Sequence, residues 1–153
     1  MTERDFPEEG GFHTIVVSTD GTPFATRAVE TAFGLAKRDR AKIIVISVID
    51  TSVLADFVGQ SPRQRGKVER ELEINAEEAL ARVGKLAARE GVDAEIIVKR
   101  GRPHIEIVTV ASQAEADLIV MGKRSGYRTG RNPVGSVTRR VAEDADCAVL
   151  MVP

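Results

Sequence analysis

The chain has 153 residues, a length typical of one domain, and it would bury roughly 70% of its extended-chain surface on folding. Charged residues make up 29% of the sequence and the net charge is −1, which excludes a general electrostatic attraction to nucleic acid. The single cysteine, Cys147, excludes an intramolecular disulfide and a multi-cysteine zinc site. No apolar run approaches the ~20 residues of a membrane helix, and residues 1–5 do not resemble a signal peptide. We therefore expect a cytoplasmic protein that binds neither nucleic acid nor membranes.

Hydrophobic patterning divides the chain into a tail and a series of strands and helices. Residues 1–12 are polar and predict a flexible N-terminal tail before one domain over residues 13–153. Apolar runs rich in β-branched residues predict five strands, at 14–18, 41–49, 94–98, 118–121 and 148–152. Apolar residues at helical spacing predict four helices, beginning at Pro23, near Gly66, at Pro103 and near Pro133.

The alternation of these elements indicates the fold class. Strands that alternate with helices, and that are apolar on both faces as in residues 43–46, are typical of a parallel sheet covered on both sides. Five strands and four helices in this order predict a doubly wound α/β domain. Between Asp50 and Gly66 the pattern lapses, which predicts a long loop.

The most informative segment follows the fourth predicted strand. Gly122 at the strand end lets the backbone approach a ligand, and Gly135-Ser136 at the next helix start offers backbone N–H groups and a hydroxyl. Open α/β sheets bind their ligands in this place, beyond the carboxyl ends of the strands. The sequence therefore predicts an anion cradle that is suited to phosphate.

The loop between these glycines is basic and has no acidic residue. Such a charge run is usually only a solvated loop. Its position beside the cradle favours a local positive field that serves an anion. The four cations are Lys123, Arg124, Arg128 and Arg131.

Several enzyme classes lack their motifs in this chain. There is no P-loop motif, no dinucleotide G-x-G-x-x-G, and no Ser-Gly-Gly-x-Asp-Ser loop of the ATP pyrophosphatases. His13 and His104 lie beside different predicted elements, and Cys147 is expected to be a buried, inert thiol. Because no nucleophile–base pair can be recognised, we predict no catalytic residues.

Six short segments carry a resemblance to a known family through their order and spacing. They are residues 17–22, 48–50, 101–103, 117–122, 135–137 and 145–153. Together they resemble the universal stress protein family over nearly the whole chain, residues 13–153. The resemblance implies a Rossmann-like domain with a five-stranded parallel sheet in the order 3-2-1-4-5 and helices on both faces.

ATP-binding members of that family carry glycine, two residues, glycine, nine residues, and then glycine with serine or threonine. Gly122, Gly135 and Ser136 fit this motif here, whereas the middle position is Ser125 and a glycine, Gly126, follows it. Serine is the next smallest residue and can still donate a hydrogen bond. The resemblance thus implies ATP as the ligand, with Mg²⁺ held through its phosphates.

The resemblance also implies an adenine side to the site. Ser18, Thr19 and Asp20 follow the first strand, and Asp20 would accept hydrogen bonds from the adenine or its surroundings. Val48, after the second strand, would read the adenine edge through its backbone. The alternatives are that Asp20 caps the next helix with Gly21 in a turn, and that Val48 is an ordinary core valine.

A ribose and phosphate side is implied by the same resemblance. Met121 and Gly122 would line the ribose. Gly135, Ser136 and Val137 would present backbone N–H groups to the phosphates, and the Ser136 hydroxyl would add a donor. The alternative for Ser136 is a plain helix N-cap, a role that can coexist with phosphate binding.

The last strand, residues 148–152, predicts a homodimer. It is apolar on both faces and would be an exposed sheet edge, without lysine and without proline until Pro153. Members of the resembled family dimerise through this strand. Three functions stay open: an ATP-binding regulatory protein of the stress response, a ligand-free dimeric interaction module, and a slow ATPase or autophosphorylating protein.

Overall fold

The computed structural model describes residues 10–55, 61–124 and 134–153, in which a parallel sheet is covered by helices on both faces. The strand order is β3-β2-β1-β4-β5, which confirms the expected doubly wound fold. Within the described residues every strand pair is parallel. The strands are β1 (Thr14–Ser18), β2 (Lys42–Asp50), β3 (Ala94–Gly101), β4 (Leu118–Gly122) and β5 (Ala148–Val152).

The described segments contain five helices, one more than the sequence predicts. The additional helix is a single turn inside the segment that was expected to be a loop. In these segments, no helix is both long enough and apolar enough to span a bilayer. The helices are α1 (Pro23–Asp39), α2 (Ser52–Ala55), α3 (Pro62–Glu90), α4 (Pro103–Gln113) and α5 (Ser136–Asp144).

The expected start of α3 near Gly66 was wrong by about one turn. The helix begins at Pro62, because the hydroxyl of Ser61 accepts the N–H of Gln64 at 3.3 Å and caps the first turn. Proline at the first helical position loses no hydrogen bond, since that N–H has no partner within the helix. At its other end α3 closes at Gly91, whose φ of +67° is the left-handed conformation expected of a C-terminal glycine.

Two apolar cores lie on opposite faces of the sheet. Ile15 and Val17 of β1 pack with α1 and α3, whereas Val16 between them packs with α4 and α5. All three are fully buried. Since side chains alternate along a strand, this two-sided burial explains why the strands are apolar at successive positions instead of alternating ones.

The chain enters β1 by passing over the C-terminal end of α1. Gly11 has a φ of +81°, and a Cβ there would overlap the carboxyl group of Asp39, so glycine is required. Asp39 accepts hydrogen bonds from the Nε of Arg38 at 2.7 Å and from the N–H of Phe12 at 3.0 Å. These bonds, the Arg38 bond foremost, lower the pKa of Asp39 to about 2.

We expect Asp39→Asn to flatten the acid dependence of stability. A carboxylate whose pKa falls on folding stabilises the fold above its unfolded pKa of about 3.9, and this stabilisation is lost as the pH falls towards 2. Urea unfolding measured at several pH values should show a steeper loss for the wild type than for D39N. Asp93→Asn, at an exposed position between α3 and β3, should keep the wild-type slope. A wild-type slope in D39N would contradict the role of Asp39.

Candidate functional site

The candidate site lies where β1 separates the two halves of the sheet. Val17 of β1 is in register with Val45 of β2 on one side and with Val120 of β4 on the other. The strand order reverses at this point, and the connections after β1 and β4 leave towards opposite faces of the sheet. A crevice beyond the carboxyl ends of such strands is the usual ligand site of an open α/β sheet.

The turn after β1 is stabilised by hydrogen bonds that its own side chains form. Asp20 is exposed, and its Oδ1 accepts the N–H of Thr22 at 2.9 Å and the hydroxyl of Thr22 at 2.6 Å. Thr19 is buried and its Oγ1 accepts the N–H of Gly21 at 3.2 Å. The helix-capping role that the sequence left open for Asp20 belongs to Thr22, which is the N-cap of α1. Asp20 is therefore a fixed carboxylate at the mouth of the crevice.

Val48 lies on β2 beyond the end of β1. The pairing of β1 with β2 ends at Ser18 and Ile46, and the N–H of Thr19 then donates to the carbonyl of Ile46 at 3.0 Å. Along a strand, backbone polar groups point to the same side at every second residue. The N–H and C=O of Val48 are therefore directed to the side where β1 has ended. Its side chain is partly buried against the core under α4 and α5, which also fits the alternative of an ordinary core valine.

The end of β4 is shaped by a glycine. Met121 is buried in the core under α4 and α5, and Gly122 is the last residue of the strand. A Cβ at Gly122 would lie 3.1 Å from the carbonyl oxygen of Arg124 and 3.3 Å from Cβ of Phe24. The sequence predicted this glycine for ligand approach. The structure gives a second reason, the close packing of the strand end against the first turn of α1.

Hydrogen bonds fasten the start of α5 to the end of β4. The buried hydroxyl of Thr138 donates to the carbonyl of Gly122 at 2.8 Å. The N–H of Gly135 donates to the carbonyl of Lys123 at 2.9 Å, and the N–H of Lys123 donates to the carbonyl of Val152 at 2.7 Å. The strand end, the helix start and β5 thus form one hydrogen-bonded unit.

Two expectations for the start of α5 change with this geometry. The N–H of Gly135 is occupied by Lys123 and is not a donor to a phosphate in this conformation. Ser136 is not the N-cap, because Gly135 occupies that position with the extended angles φ −62° and ψ 150°. Ser136 is the exposed first residue of the helix, and Val137, partly buried, is the second.

The first turn of α5 remains open to an anion. The N–H groups of Ser136, Val137 and Thr138 have no carbonyl partner within the helix, and no side chain caps this end among the described residues. The helix dipole adds partial positive charge there. Lys123 and Arg124 follow β4 at the same edge of the sheet, so the electrostatics favour a negatively charged group.

Parts of the predicted site lie outside the described residues. Ser125 and Gly126, at the middle of the glycine motif, belong to these parts, as do Arg128 and Arg131. Within the described residues no cluster of three or more histidine, cysteine, aspartate or glutamate side chains is suited to a metal ion.

Thr138 is a residue of the site that was not predicted from the sequence. The sequence signal was a threonine that lies between Val137 and Val141 on the apolar face of the helix, the face that packs on the core. A buried hydroxyl requires a hydrogen-bond partner, and here that partner is the carbonyl at the end of the neighbouring strand.

Comparison with known proteins identifies the family. The model of the universal stress protein family matches residues 11–153. The chain belongs to the universal stress protein family. A universal stress protein of Methanocaldococcus jannaschii is 36% identical over 145 residues, which cover 94% of this chain and 84% of that relative.

Solved structures of universal stress proteins share the fold. That of UspA from Lactobacillus plantarum has a TM-score of 0.83 at 24% identity and covers 95% of this chain and 100% of its own. Another universal stress protein, solved in complex with cAMP, has a TM-score of 0.59 at 27% identity and covers 94% of this chain and 98% of its own.

We expect Thr138→Val to lower the free energy of unfolding by about 1–3 kcal/mol, because the carbonyl of Gly122 then loses its buried donor. Thr138→Ser keeps the hydroxyl and should lose less. Thr31→Val is the matched control, since the hydroxyl of Thr31 bonds only within its own helix, to the carbonyl of Arg27. Urea unfolding measures all three variants, and equal losses in T138V and T31V would contradict the role of Thr138.

Proposed function

We propose that this universal stress protein binds ATP with Mg²⁺ in the crevice between the ends of β1 and β4. In this proposal the nucleotide acts as a regulatory ligand of a cytoplasmic stress-response homodimer. The observation that carries the proposal is the open first turn of α5, which Thr138 and Gly135 hold against the end of β4. An anion cradle thereby lies beside the crevice where open α/β sheets bind ligands.

The adenine side of the proposal rests on backbone direction. Beyond Ile46, β2 has no pairing partner on the side of β1, and the N–H and C=O of Val48 point to that unpaired side. One N–H and one C=O on the same strand match the donor and acceptor pattern of an adenine edge. Asp20, fixed by Thr22 at the same opening, supplies the acceptor that reads an exocyclic amine or a ribose hydroxyl.

The phosphate side rests on donors and charge. Ser136 offers its N–H and an exposed hydroxyl, and Val137 and Thr138 offer the next N–H groups. The dipole of α5 and the cations Lys123 and Arg124 stabilise the negative charge of phosphates. Magnesium would be held mainly by phosphate oxygens, as is usual for nucleotide-bound Mg²⁺. The family relative solved with cAMP supports an adenine nucleotide as the ligand class.

We expect Gly135→Val to weaken ATP binding at least tenfold, a loss of about 1.4 kcal/mol or more, because a β-branched side chain blocks close approach to the helix start. The φ and ψ of Gly135 are open to any residue, so the fold should persist. Calorimetry with MgATP measures the affinity, and Gly34→Val is the control, at an exposed position of α1 where a Cβ meets nothing within 4 Å.

A wild type that binds no MgATP in this calorimetry would contradict the proposal and leave the ligand-free dimer as the function. Equal binding by the wild type and G135V would show that the nucleotide does not lie on the first turn of α5. Formation of ADP in the same solutions would instead indicate slow hydrolysis or phosphoryl transfer.

The proposed dimer uses the open edge of β5. Leu150 and Met151 are 37% and 42% exposed, and in the described residues β5 pairs only with β4. An unpaired apolar edge favours association with a second copy, which a two-fold axis permits. The opposite edge, β3, also exposes Ile96 and Val98. That edge, however, carries charged residues, whereas β5 has none.

We expect Leu150→Lys to convert a dimer into a monomer, because the charge would be desolvated at the paired edges. Val98→Lys makes the same change on β3 and should leave the dimer intact. Light scattering after size exclusion at micromolar concentration gives the mass of each protein. A monomeric wild type would refute the dimer, and dissociation of V98K alone would assign it to β3.

A further inference from the structure

A groove separate from the nucleotide crevice lies between α1 and α3. It encloses about 340 Å³ on the face of the sheet opposite to α4 and α5. This volume falls within the range of small-molecule sites, which is roughly 300–1,000 Å³. Its apolar wall is formed by Val29, Ala79, Val83 and Leu86.

The polar rim of this groove is strongly unbalanced in charge. Arg82, Lys85 and Arg89 line it from α3, whereas Glu30 of α1 is the acidic residue that lines it. Among the described residues none of the three cations forms an ion pair. Arg82 makes a long contact of 3.5 Å with the carbonyl of Gly21. Apolar surface beside unpaired cations is complementary to a ligand with an apolar body and an anionic end.

The spacing of the cations supports one binding surface. Positions 82, 85 and 89 are three and seven residues apart, so they share one face of the helix. Val83 and Leu86 lie on the adjoining face and contribute to the apolar core or pack against it. The long side chains of arginine and lysine extend along such apolar surface while their charges stay at the rim.

We propose that this groove binds a medium-chain aliphatic carboxylate, with its chain along the apolar wall and its carboxylate at Arg82, Lys85 and Arg89. The volume lies at the small end of the range for small-molecule sites, which favours a short chain over a long one. That size matches a chain of eight to ten carbons with its carboxylate. Arginine forms paired hydrogen bonds with a carboxylate, which fixes the anionic end.

The groove is distinct from the proposed nucleotide site in the elements that form it. The helices α1 and α3 supply its walls, whereas the anion cradle belongs to β4 and α5. Among the described residues the two sites meet at the turn after β1, where Gly21 and Thr19, a residue predicted for the nucleotide site as well, line one end of the groove. Carboxylate binding is therefore expected without nucleotide.

The test uses octanoate and 1-octanol as matched probes with the full-length chain. Calorimetry should show one saturable site for octanoate and at least tenfold weaker binding of octanol, because the alcohol lacks the charge. The double variant Arg82→Gln with Arg89→Gln should weaken octanoate at least tenfold and leave octanol unchanged. Arg63→Gln with Arg65→Gln, on the exposed first turns of the same helix, is the control and should bind octanoate normally.

A second variant tests the apolar wall. Leu86→Trp fills the groove and should reduce the binding of both probes, and circular dichroism checks that it folds. Equal affinity for octanoate and octanol, or normal octanoate binding by R82Q/R89Q, would overturn the proposal. Competitive displacement of octanoate by MgATP would assign the groove to the nucleotide site, and a change of oligomeric mass in R82Q/R89Q would assign it to a second copy. Either result would also overturn it.

Discussion

The double pairing of β1 is the constraint on which the rest of this domain depends. β1 is hydrogen-bonded to β2 on one side and to β4 on the other, and helices cover both of its faces, so that Ile15, Val16 and Val17 are fully buried. The chain leaves β1 towards α1 and leaves β4 towards α5, on opposite faces of the sheet. Neighbouring strand ends whose connections diverge in this way are where open α/β sheets form a ligand crevice.

The backbone N–H groups at the crevice are of two kinds. Some donate to carbonyls of the fold, and others have no partner in the helix and can bind a ligand. The N–H groups of Lys123 and Gly135, with the hydroxyl of Thr138, bind carbonyls of the same region and fix the helix start. The next N–H groups, from Ser136 onwards, have no helical partner. A cradle fixed in this way loses little conformational entropy when an anion binds, which is the physical advantage of a preformed site.

The same fold leaves other surfaces of different chemistry. One sheet edge is uncharged and apolar, the other carries acidic and basic residues. The groove between α1 and α3 combines an apolar wall with three cations that form no ion pair within the described segments. These surfaces belong to elements other than the end of β4 and the start of α5, so each presents its own chemistry.

Much of the fold was predictable because local patterns and tertiary burial agree. Apolar runs at successive positions predicted five strands and their coverage on both faces, and Pro23 predicted the start of α1. The segment 50–66 was predicted less well. The helix α2 has four residues, too few to show helical spacing, and the single hydroxyl of Ser61 moves the start of α3 to Pro62. A helix end depends on one hydrogen bond, whereas a strand depends on many buried residues.

The sequence alone determined the fold class, the family resemblance and the two glycine-containing segments that flank the crevice. These depend on residue type and spacing, which are local properties. Only the tertiary structure decided which backbone groups are occupied. The N–H of Gly135 donates to the carbonyl of Lys123, and the hydroxyl of Thr138 donates to the carbonyl of Gly122. The N–H and C=O of Val48 point to the side of β2 on which β1 has ended. The groove between α1 and α3 was equally hidden, because its residues meet only when two helices pack on one sheet face. Contacts between distant segments have no counterpart in local sequence.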